Sequence, residues 1–431
     1  MPFQTPSSAF DTGRDFAEEL DRVDPLRHFR EQFHVPTRPD GTSEIYLVGN
    51  SLGLQPRRTI TYVAQELHKW RDLGVRAHFE GEHPWMPYHE FLTEPMARLV
   101  GGGPLEVVVM NSLTTNLHLL MVSFYQPTPQ RNRILLEHPA FPSDRYAVES
   151  QVRLRGYDPD QSLLTVGPPE GSDVLTTERI LEVIERQGES IALILLPGVQ
   201  YYTGELLDMA SITRAGHRHG CVVGFDLAHA VGNVPLQLHE WDVDFACWCS
   251  YKYLNGGPGS VGACFVHERF ARRFDLDRLA GWWGHDKETR FLMGPEFRPL
   301  PGAEGWQLSN PPILSLAAIR ASLEVFDEAG GIIPLREKSQ VMTSYLHWLL
   351  RSNLPETVEV ITPGEPSQRG CQLSLRVHAK GRSGRAVNQA LEDRGIRSDW
   401  REPNVIRVAP VPLYNSFTEV FDFVETLGGF L

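Results

Sequence analysis

Short apolar runs alternate with longer amphipathic segments between residues 44 and 266. The runs predict strands at 44–48, 106–110, 133–137, 191–195, 222–226, 244–249 and 261–266. The segments between them predict helices, among them 58–73, 115–124, 177–186 and 207–219. Strands that alternate with helices in this way form a largely parallel sheet with helices on both faces. The sequence therefore predicts an α/β fold.

A second block of alternating elements begins near residue 330. It predicts helices at 334–350, 386–394 and 417–427 and strands at 358–361, 372–377 and 405–408. The first 45 residues or so show no sheet pattern and are expected to pack against this block. A length of 431 residues suits one large and one smaller domain. We expect a large domain at 45–329 and a small α+β domain formed by 1–44 and 330–431.

Composition excludes several classes of partner. The formal net charge is −13, so a basic face for nucleic acid is not expected. No run approaches about 18 apolar residues, and the N-terminal segment carries early acidic residues instead of an apolar signal core.

No cysteine pair has the spacing of a zinc site, so no metal and only buried free thiols are expected. The five cysteines are Cys221, Cys247, Cys249, Cys264 and Cys371. A cytoplasmic protein is the expectation, since a reducing compartment keeps thiols free.

Lys252 lies where a predicted buried strand runs into a glycine-rich turn, residues 255–259. Glycines in such a turn allow close approach of the backbone to a ligand. A lysine that is partly removed from water has a lowered pKa and can act as a Schiff-base nucleophile. The alternative is a solvated lysine at a strand end.

Asp226 ends the predicted strand 222–226, and Ala228 follows on the same side. A carboxylate facing a pyridine nitrogen keeps it protonated, and a small residue can lie flat against the ring. His229 is placed to bridge to Asp226 or to a phenolic oxygen of such a ring. The alternatives are a turn cap for Asp226 and a core histidine for His229.

Two further strand ends carry polar groups. Ser112, Thr114 and Thr115 stand at the start of a predicted helix, where free backbone N–H groups favour a phosphate. Phe141 and Asp144 follow the strand 133–137, where the ring could stack on a cofactor and the acid could add a hydrogen bond. Ordinary helix capping and an ordinary turn are the alternatives. Together the four strand ends favour pyridoxal 5′-phosphate (PLP) on an aspartate-aminotransferase-type scaffold.

The chain resembles the kynureninases in six motifs, which lie at 49–56, 225–233, 247–259, 281–285, 308–312 and 407–417. The resemblance extends from about residue 44 to 417. It implies the PLP-dependent transferase fold type I, a homodimer, and hydrolytic cleavage of L-kynurenine to anthranilate and L-alanine in tryptophan catabolism.

The resemblance also implies roles for individual residues. Lys252 would carry PLP as a Schiff base, Asp226 would pair with the pyridine nitrogen, and Phe141 would stack on the ring. Tyr251 would transfer a proton to the carbonyl or the departing carbon. The remaining cofactor-binding residues that it implies are Leu113, Thr114, Asp144, Tyr202, Tyr251, His229, Trp282 and Asn310.

The substrate and the partner subunit complete the implied site. Arg407 resembles the clamp for the substrate carboxylate, and Ser51 and His78 match positions that face the substrate. Trp282 and Asn310 resemble residues contributed by the partner subunit, although Trp283 directly follows Trp282 and is a second candidate indole. His78 with Asn310 would line the aryl pocket and admit 3-hydroxykynurenine as well.

Two other functions fit the same scaffold. A cysteine desulfurase or selenocysteine lyase typically has His directly before the lysine and a reactive cysteine on a mobile loop. Here Tyr251 precedes Lys252, and Cys371 lies within a strand pattern. A regulator that binds PLP without chemistry is the other alternative, but no helix-turn-helix block or basic segment stands near the N-terminus.

Overall fold

The computed structural model describes residues 10–379 and 381–431. The strands are β1 Phe33–His34, β2 Ile45–Tyr46, β3 Gln55–Pro56, β4 Val107–Val109, β5 Arg133–Glu137, β6 Leu163–Val166, β7 Ile191–Pro197, β8 Val222–Asp226, β9 Phe245–Trp248, β10 Ala263–Val266, β11 Val358–Val360, β12 Leu373–Val377, β13 Ile396–Arg397, β14 Asp399–Arg401 and β15 Val405–Val408. The α-helices are α1 Arg14–Val23, α2 Arg58–Leu73, α3 Glu90–Val100, α4 Leu113–Phe124, α5 Pro142–Leu154, α6 Pro159–Ser162, α7 Thr177–Gln187, α8 Met209–Arg218, α9 Ile313–Glu328, α10 Ile332–Asn353, α11 Gly384–Asp393 and α12 Phe417–Gly428.

Seven strands form the large sheet in the order β4-β10-β9-β8-β7-β5-β6. Only β10 runs antiparallel to its neighbours, so the expected largely parallel sheet is confirmed. The strand β6 was not predicted from the sequence. The predicted strand 44–48 is shortened to β2, which pairs with β13 and not with the large sheet.

The small sheet has the order β11-β12-β15-β14, and all of its pairs are antiparallel. Helices α10 and α12 pack on one another, and α1 packs on α12. Ala17 and Leu20 of α1 lie in the same apolar cluster as this sheet. Phe29 and Phe33, however, pack in the core of the large sheet. The division into 45–329 and 1–44 with 330–431 therefore stays a prediction.

The topology decides where functional side chains can meet. Strands β4, β5, β7, β8 and β9 run in the same direction, so their carboxyl ends share one edge of the sheet. Ligands bind outside that edge in open α/β sheets. Across residues 10–379 and 381–431, no helix combines the length and the apolar character needed to cross a bilayer.

Candidate active site

A cavity of about 320 Å3 opens at the carboxyl edge of the large sheet, beside the small sheet. It brings together most of the side chains that the sequence singled out. The predicted site residues that line it are Ser51, Leu113, Thr114, Phe141, Asp144, Asp226, His229, Tyr251, Lys252 and Arg407.

Lys252 lies on the loop that leaves β9, and its amine points into the cavity. The Nζ atom lies 2.9 Å from Nε2 of His229 and 6.0 Å from the centre of the Phe141 ring. Gly53 approaches this loop closely, because its N–H donates to the Tyr251 carbonyl at 2.8 Å. A Cβ atom at position 53 would lie 2.3 Å from the Lys252 carbonyl oxygen, so the contact requires glycine.

His229 is held by its backbone as well as by its ring. Asn233 donates a side-chain hydrogen bond to the His229 carbonyl at 2.8 Å. Burial, and then the positive charge of Lys252, hold the pKa of His229 well below its usual value, so the ring is neutral at pH 7. The sequence suggested a partner in Asp226 or a cofactor oxygen. Of these, the structure shows no bond to Asp226 among the described residues: Nε2 pairs with Lys252, and Nδ1 is buried with no partner in the same part of the chain.

Three carboxyl groups line the cavity, of which Asp226 and Glu137 are buried and Asp144 is half-buried. Asp226 ends β8, and its Oδ1 accepts a hydrogen bond from the Ala228 N–H at 2.7 Å. Burial raises the pKa of Asp226, and burial together with the neighbouring Asp226 raises that of Asp144 well above its usual value. Burial also raises the pKa of Glu137, at the end of β5, to about 8. A cation placed among them would relieve this crowding.

The start of helix α4 offers donors for an anion. Helix α4 begins directly beside the cavity with Ser112 as its N-cap, and the Ser112 side chain makes no capping bond. The N–H groups of its first turn have no partner within the helix, so they and the helix dipole suit a phosphate. The Thr114 and Ser143 hydroxyls lie 3.0 Å apart and join α4 to the start of α5.

The cofactor fits this arrangement of residues. PLP needs a lysine, a carboxylate at the pyridine nitrogen, a flat contact for the ring and a phosphate cradle. Lys252, Asp226 and Phe141 could supply the first three, and the start of α4 could supply the cradle. Oδ1 of Asp144 and Nδ1 of His229 are buried without a hydrogen-bond partner in residues 10–379 and 381–431, and a polar ring could satisfy both atoms.

Some predicted residues do not line the cavity. Tyr201 lines it in place of Tyr202, whose hydroxyl lies near Arg376 on the small sheet. His78 lies outside the cavity, with its Nδ1 3.0 Å from the Val75 carbonyl oxygen. Within one chain, therefore, His78 does not form an aryl pocket next to Lys252.

The two residues expected from a partner subunit also lie outside the cavity of their own chain. Asn310 is exposed, and Trp282 is 43% exposed. Trp283 is 1% exposed and packs under the Arg290 guanidinium, 4.4 Å from its ring centre. Trp282 is therefore the more accessible of the two indoles.

Among the cavity residues that the sequence did not single out are Asn50, Glu137, Tyr201 and Arg401. Glu137 could have been found by the rule that found Asp226, because it too ends a parallel strand. Tyr201 and Arg401 gave no such signal, since their position depends on how the two sheets meet.

The chain resembles curated kynureninases along nearly its whole length. It is 60% identical to the kynureninase of Koribacter versatilis (strain Ellin345), over 97% of this chain and 98% of that protein. It is 57% identical to the kynureninase of Myxococcus xanthus (strain DK1622), again over 97% and 98%. Residues 335–427 match the kynureninase C-terminal domain family.

Solved structures with the same architecture are more distant in sequence. A mutant of C-DES with glycine covalently linked to its PLP cofactor superposes with a TM-score of 0.76 at 17% identity, covering 93% of this chain and 99% of the other. The apo cysteine desulfurase of Thermococcus onnurineus NA1 gives 0.71 at 17% identity, covering 90% and 94%. At such identity these likenesses show the fold alone, and the fold is PLP fold type I.

Proposed function

The chain belongs to the kynureninase family, and from this membership we propose that its cavity catalyses the hydrolysis of L-kynurenine to anthranilate and L-alanine with PLP as cofactor. The reaction belongs to tryptophan catabolism. The observation that carries the proposal is the convergence of Lys252, Asp226 and Arg407 on one cavity. These side chains supply the attachment point, the ring partner and the carboxylate clamp that the reaction needs.

The residues of this cavity would hold the cofactor from all sides. Lys252 would attach it, Asp226 would face the ring nitrogen, and Phe141 would stack on the ring. Leu113, Thr114, Asp144, His229 and Tyr251 would complete the contacts. When bound, PLP withdraws electrons from the substrate α-carbon through its protonated ring.

Lys252 would transfer the proton of the substrate α-carbon, and His229 would orient the Lys252 amine. A neutral His229 can accept a hydrogen bond from the lysine amine through Nε2, which directs the amine into the cavity. Once substrate is bound, the free amine of Lys252 would remove that proton and return it. Positioned acid–base groups of this kind typically contribute about 10²–10⁴-fold.

Tyr251 would donate a proton during cleavage of the carbon–carbon bond. Burial raises the pKa of the Tyr251 phenol above its usual value, so the group stays protonated at neutral pH. A protonated phenol on the cavity wall can donate to the substrate carbonyl or to the departing aryl carbon. Arg407 would hold the substrate carboxylate, and Ser51 would face the substrate near it.

We also propose a homodimer in which Trp282 and Asn310 complete the partner's site. Both residues lie outside the cavity of their own chain and are accessible. Large apolar side chains that are exposed on the single chain would be covered in a dimer, which supports the proposal. They include Ile60, Leu67, Trp70, Val75, Phe79, Phe291, Leu292 and Met293.

His78 and Asn310 would then form an aryl pocket only in the dimer. An imidazole and an amide can each hydrogen-bond a ring hydroxyl, which favours cleavage of 3-hydroxykynurenine as well as kynurenine. The ratio of kcat/KM for the two substrates should change in a His78→Phe, Asn310→Thr double variant. An unchanged ratio would show that these residues do not contact the hydroxyl.

The cysteine desulfurase alternative lacks its nucleophile here. Cys371, two residues before the start of β12, is buried, and burial raises the pKa of its thiol to about 12. A thiol attacks as its thiolate, so this group is unreactive at neutral pH. All five cysteines are buried free thiols, which supports the proposal of a cytoplasmic location.

The decisive experiment is addition of L-kynurenine to the purified protein with PLP while anthranilate fluorescence is recorded. We expect fluorescence to rise and one L-alanine to form per anthranilate. L-cysteine supplied in place of kynurenine should release no sulfide. Sulfide release without anthranilate would contradict the proposal and favour the desulfurase.

A further inference from the structure

Asp399 and Arg407 face each other across two neighbouring strands of the small sheet. In the antiparallel pairing of β14 with β15, Asp399 is the register partner of Arg407. Side chains of directly opposed residues lie on the same face of a sheet. Arg401, two residues further along β14, is on that face too, and both arginines line the cavity.

The hydrogen bonds of Arg407 use two of the five N–H groups of its guanidinium. Nη2 is bound to Oδ2 of Asp399, and Nη1 donates to the Tyr201 carbonyl at 2.6 Å. The Nε atom is buried and has no partner among the described residues. Asp399 holds Arg401 with its other oxygen, at 3.2 Å from Nη1.

Because the side chains of Arg407 and Asp399 are largely buried, their contacts hold the Arg407 guanidinium in one orientation. Only 2% of the Arg407 side chain and 12% of the Asp399 side chain are exposed. A guanidinium recognises a carboxylate by two parallel N–H groups, so a small rotation about its long axis breaks one of the two bonds. Asp399 and the Tyr201 carbonyl fix that rotation from two directions.

We propose that Asp399 is a positioning residue for substrate binding, which sets the guanidinium of Arg407 so that its remaining N–H groups meet the substrate carboxylate. This inference rests on the proposed function, because it takes Arg407 as the carboxylate clamp. Asp399 itself does not contact substrate. It acts through Arg407, so its loss weakens the binding of ligands that carry an α-carboxylate.

The test compares Asp399→Ala and Asp399→Asn holoenzymes with the parent. The Ala variant should raise KM for L-kynurenine roughly tenfold, with kcat within about twofold, as expected for coupled neighbours. The Asn variant keeps an oxygen that can accept from Nη2, so its KM should lie between the two. The PLP content and the Tm of each variant report folding. A lower PLP content together with a lower Tm in Asp399→Asn would point to a structural role of Asp399 and overturn the proposal.

Two further measurements test whether Asp399 acts through Arg407. In an Arg407→Gln background, Asp399→Ala should cause no further rise in KM, whereas independent additive effects would overturn the proposal. Asp399→Ala should also weaken L-alanine binding, followed by the visible spectrum of the holoenzyme. This readout needs no turnover, so it stays informative even if the wild type fails to cleave kynurenine, which would overturn the proposed function instead.

Glu44→Gln is the matched control. The Glu44 side chain is 10% exposed and pairs with Arg397, whose Nε lies 2.8 Å from Oε2, outside the cavity. The Glu44→Gln variant should have the same KM and the same L-alanine affinity as the parent. A fall in KM in Asp399→Ala would mean that Asp399 competes with substrate for Arg407, and it would overturn the proposal.

Discussion

The Nζ atom of Lys252 lies 2.9 Å from the Nε2 atom of His229. The two residues come from the loops that follow β9 and β8, which are neighbouring parallel strands. Because burial lowers the pKa of His229, the contact joins a neutral imidazole to the lysine amine instead of two cations. The histidine therefore orients the amine without repelling it.

Lys252→Ala should abolish turnover and the yellow colour of the pure protein, because no other lysine lines the cavity among the described residues. Borohydride reduction of the wild type followed by peptide mapping should find the phosphopyridoxyl group on the peptide that contains Lys252. An adduct on another lysine would remove Lys252 from its role. Lys69→Ala, at a lysine paired with Glu66 outside the cavity, should stay yellow and active.

Asp226→Ala should give a folded protein that binds PLP weakly and hardly exchanges the substrate α-proton. The reason is that a ring without a facing carboxylate loses its proton and withdraws electrons poorly. Deuterium exchange into L-alanine, measured by NMR at saturating PLP, checks the effect. Exchange at the wild-type rate would show that another group, with Asp144 the nearest candidate, protonates the ring.

Arg407→Gln should raise KM for kynurenine strongly and leave PLP binding intact. A hydrogen bond to a charged group contributes ~1.5–3 kcal/mol, which corresponds to a rise of roughly 10–150-fold. Steady-state kinetics and a PLP titration separate the two effects. A KM equal to that of the wild type would mean that Arg407 serves only its ion pair with Asp399.

The free energy of unfolding of the cofactor-free protein should fall as pH rises, because Glu137 ionises. Its pKa is about 8 in the folded protein, against 4.5 for the unfolded chain, so the folded state holds an extra proton between these values. The stabilisation is complete below about pH 4.5 and is lost as pH rises through 8. The Tm of Glu137→Gln minus that of the wild type should therefore increase from pH 5 to pH 8.

Thermal unfolding at several pH values measures this difference. Glu205 is also buried with a pKa raised to about 8, so Glu205→Gln should show the same trend. Glu356→Gln, at an exposed position, should show a constant difference. A flat profile for Glu137→Gln would mean that Glu137 is ionised in the fold.

Mixed dimers should reveal a shared site. Lys252→Ala and Asn310→Asp proteins are each expected to be inactive, but subunits re-dimerised from a mixture should restore one intact site per heterodimer. About a quarter of wild-type activity is then expected from an equal statistical mixture, since half of the dimers have one of two sites. Full wild-type activity of a monomer at high dilution would contradict the shared site.

The strand ends were predictable because their signals are local. An apolar run that stops at Asp226 or before Lys252 is visible in the sequence, and parallel neighbours bring such ends to one edge. The predicted helix 58–73 and strand 405–408 agree with α2 and β15 residue for residue. These features needed no knowledge of distant contacts.

Other features depended on contacts between segments that are far apart in the chain. Alternation in a strand tells which side chains share a face but not which strand lies next to it, so the pairing of β2 with β13 and the approach of Arg401 to the cavity gave no local signal. No local signal showed that Tyr201 and not Tyr202 lines the cavity, or that Trp282 and not Trp283 is the accessible indole. The sequence alone determined the reactive groups and the strands that carry them. Tertiary packing decided which neighbouring side chain is buried and which faces the cavity, because burial is set by the segments that cover a residue.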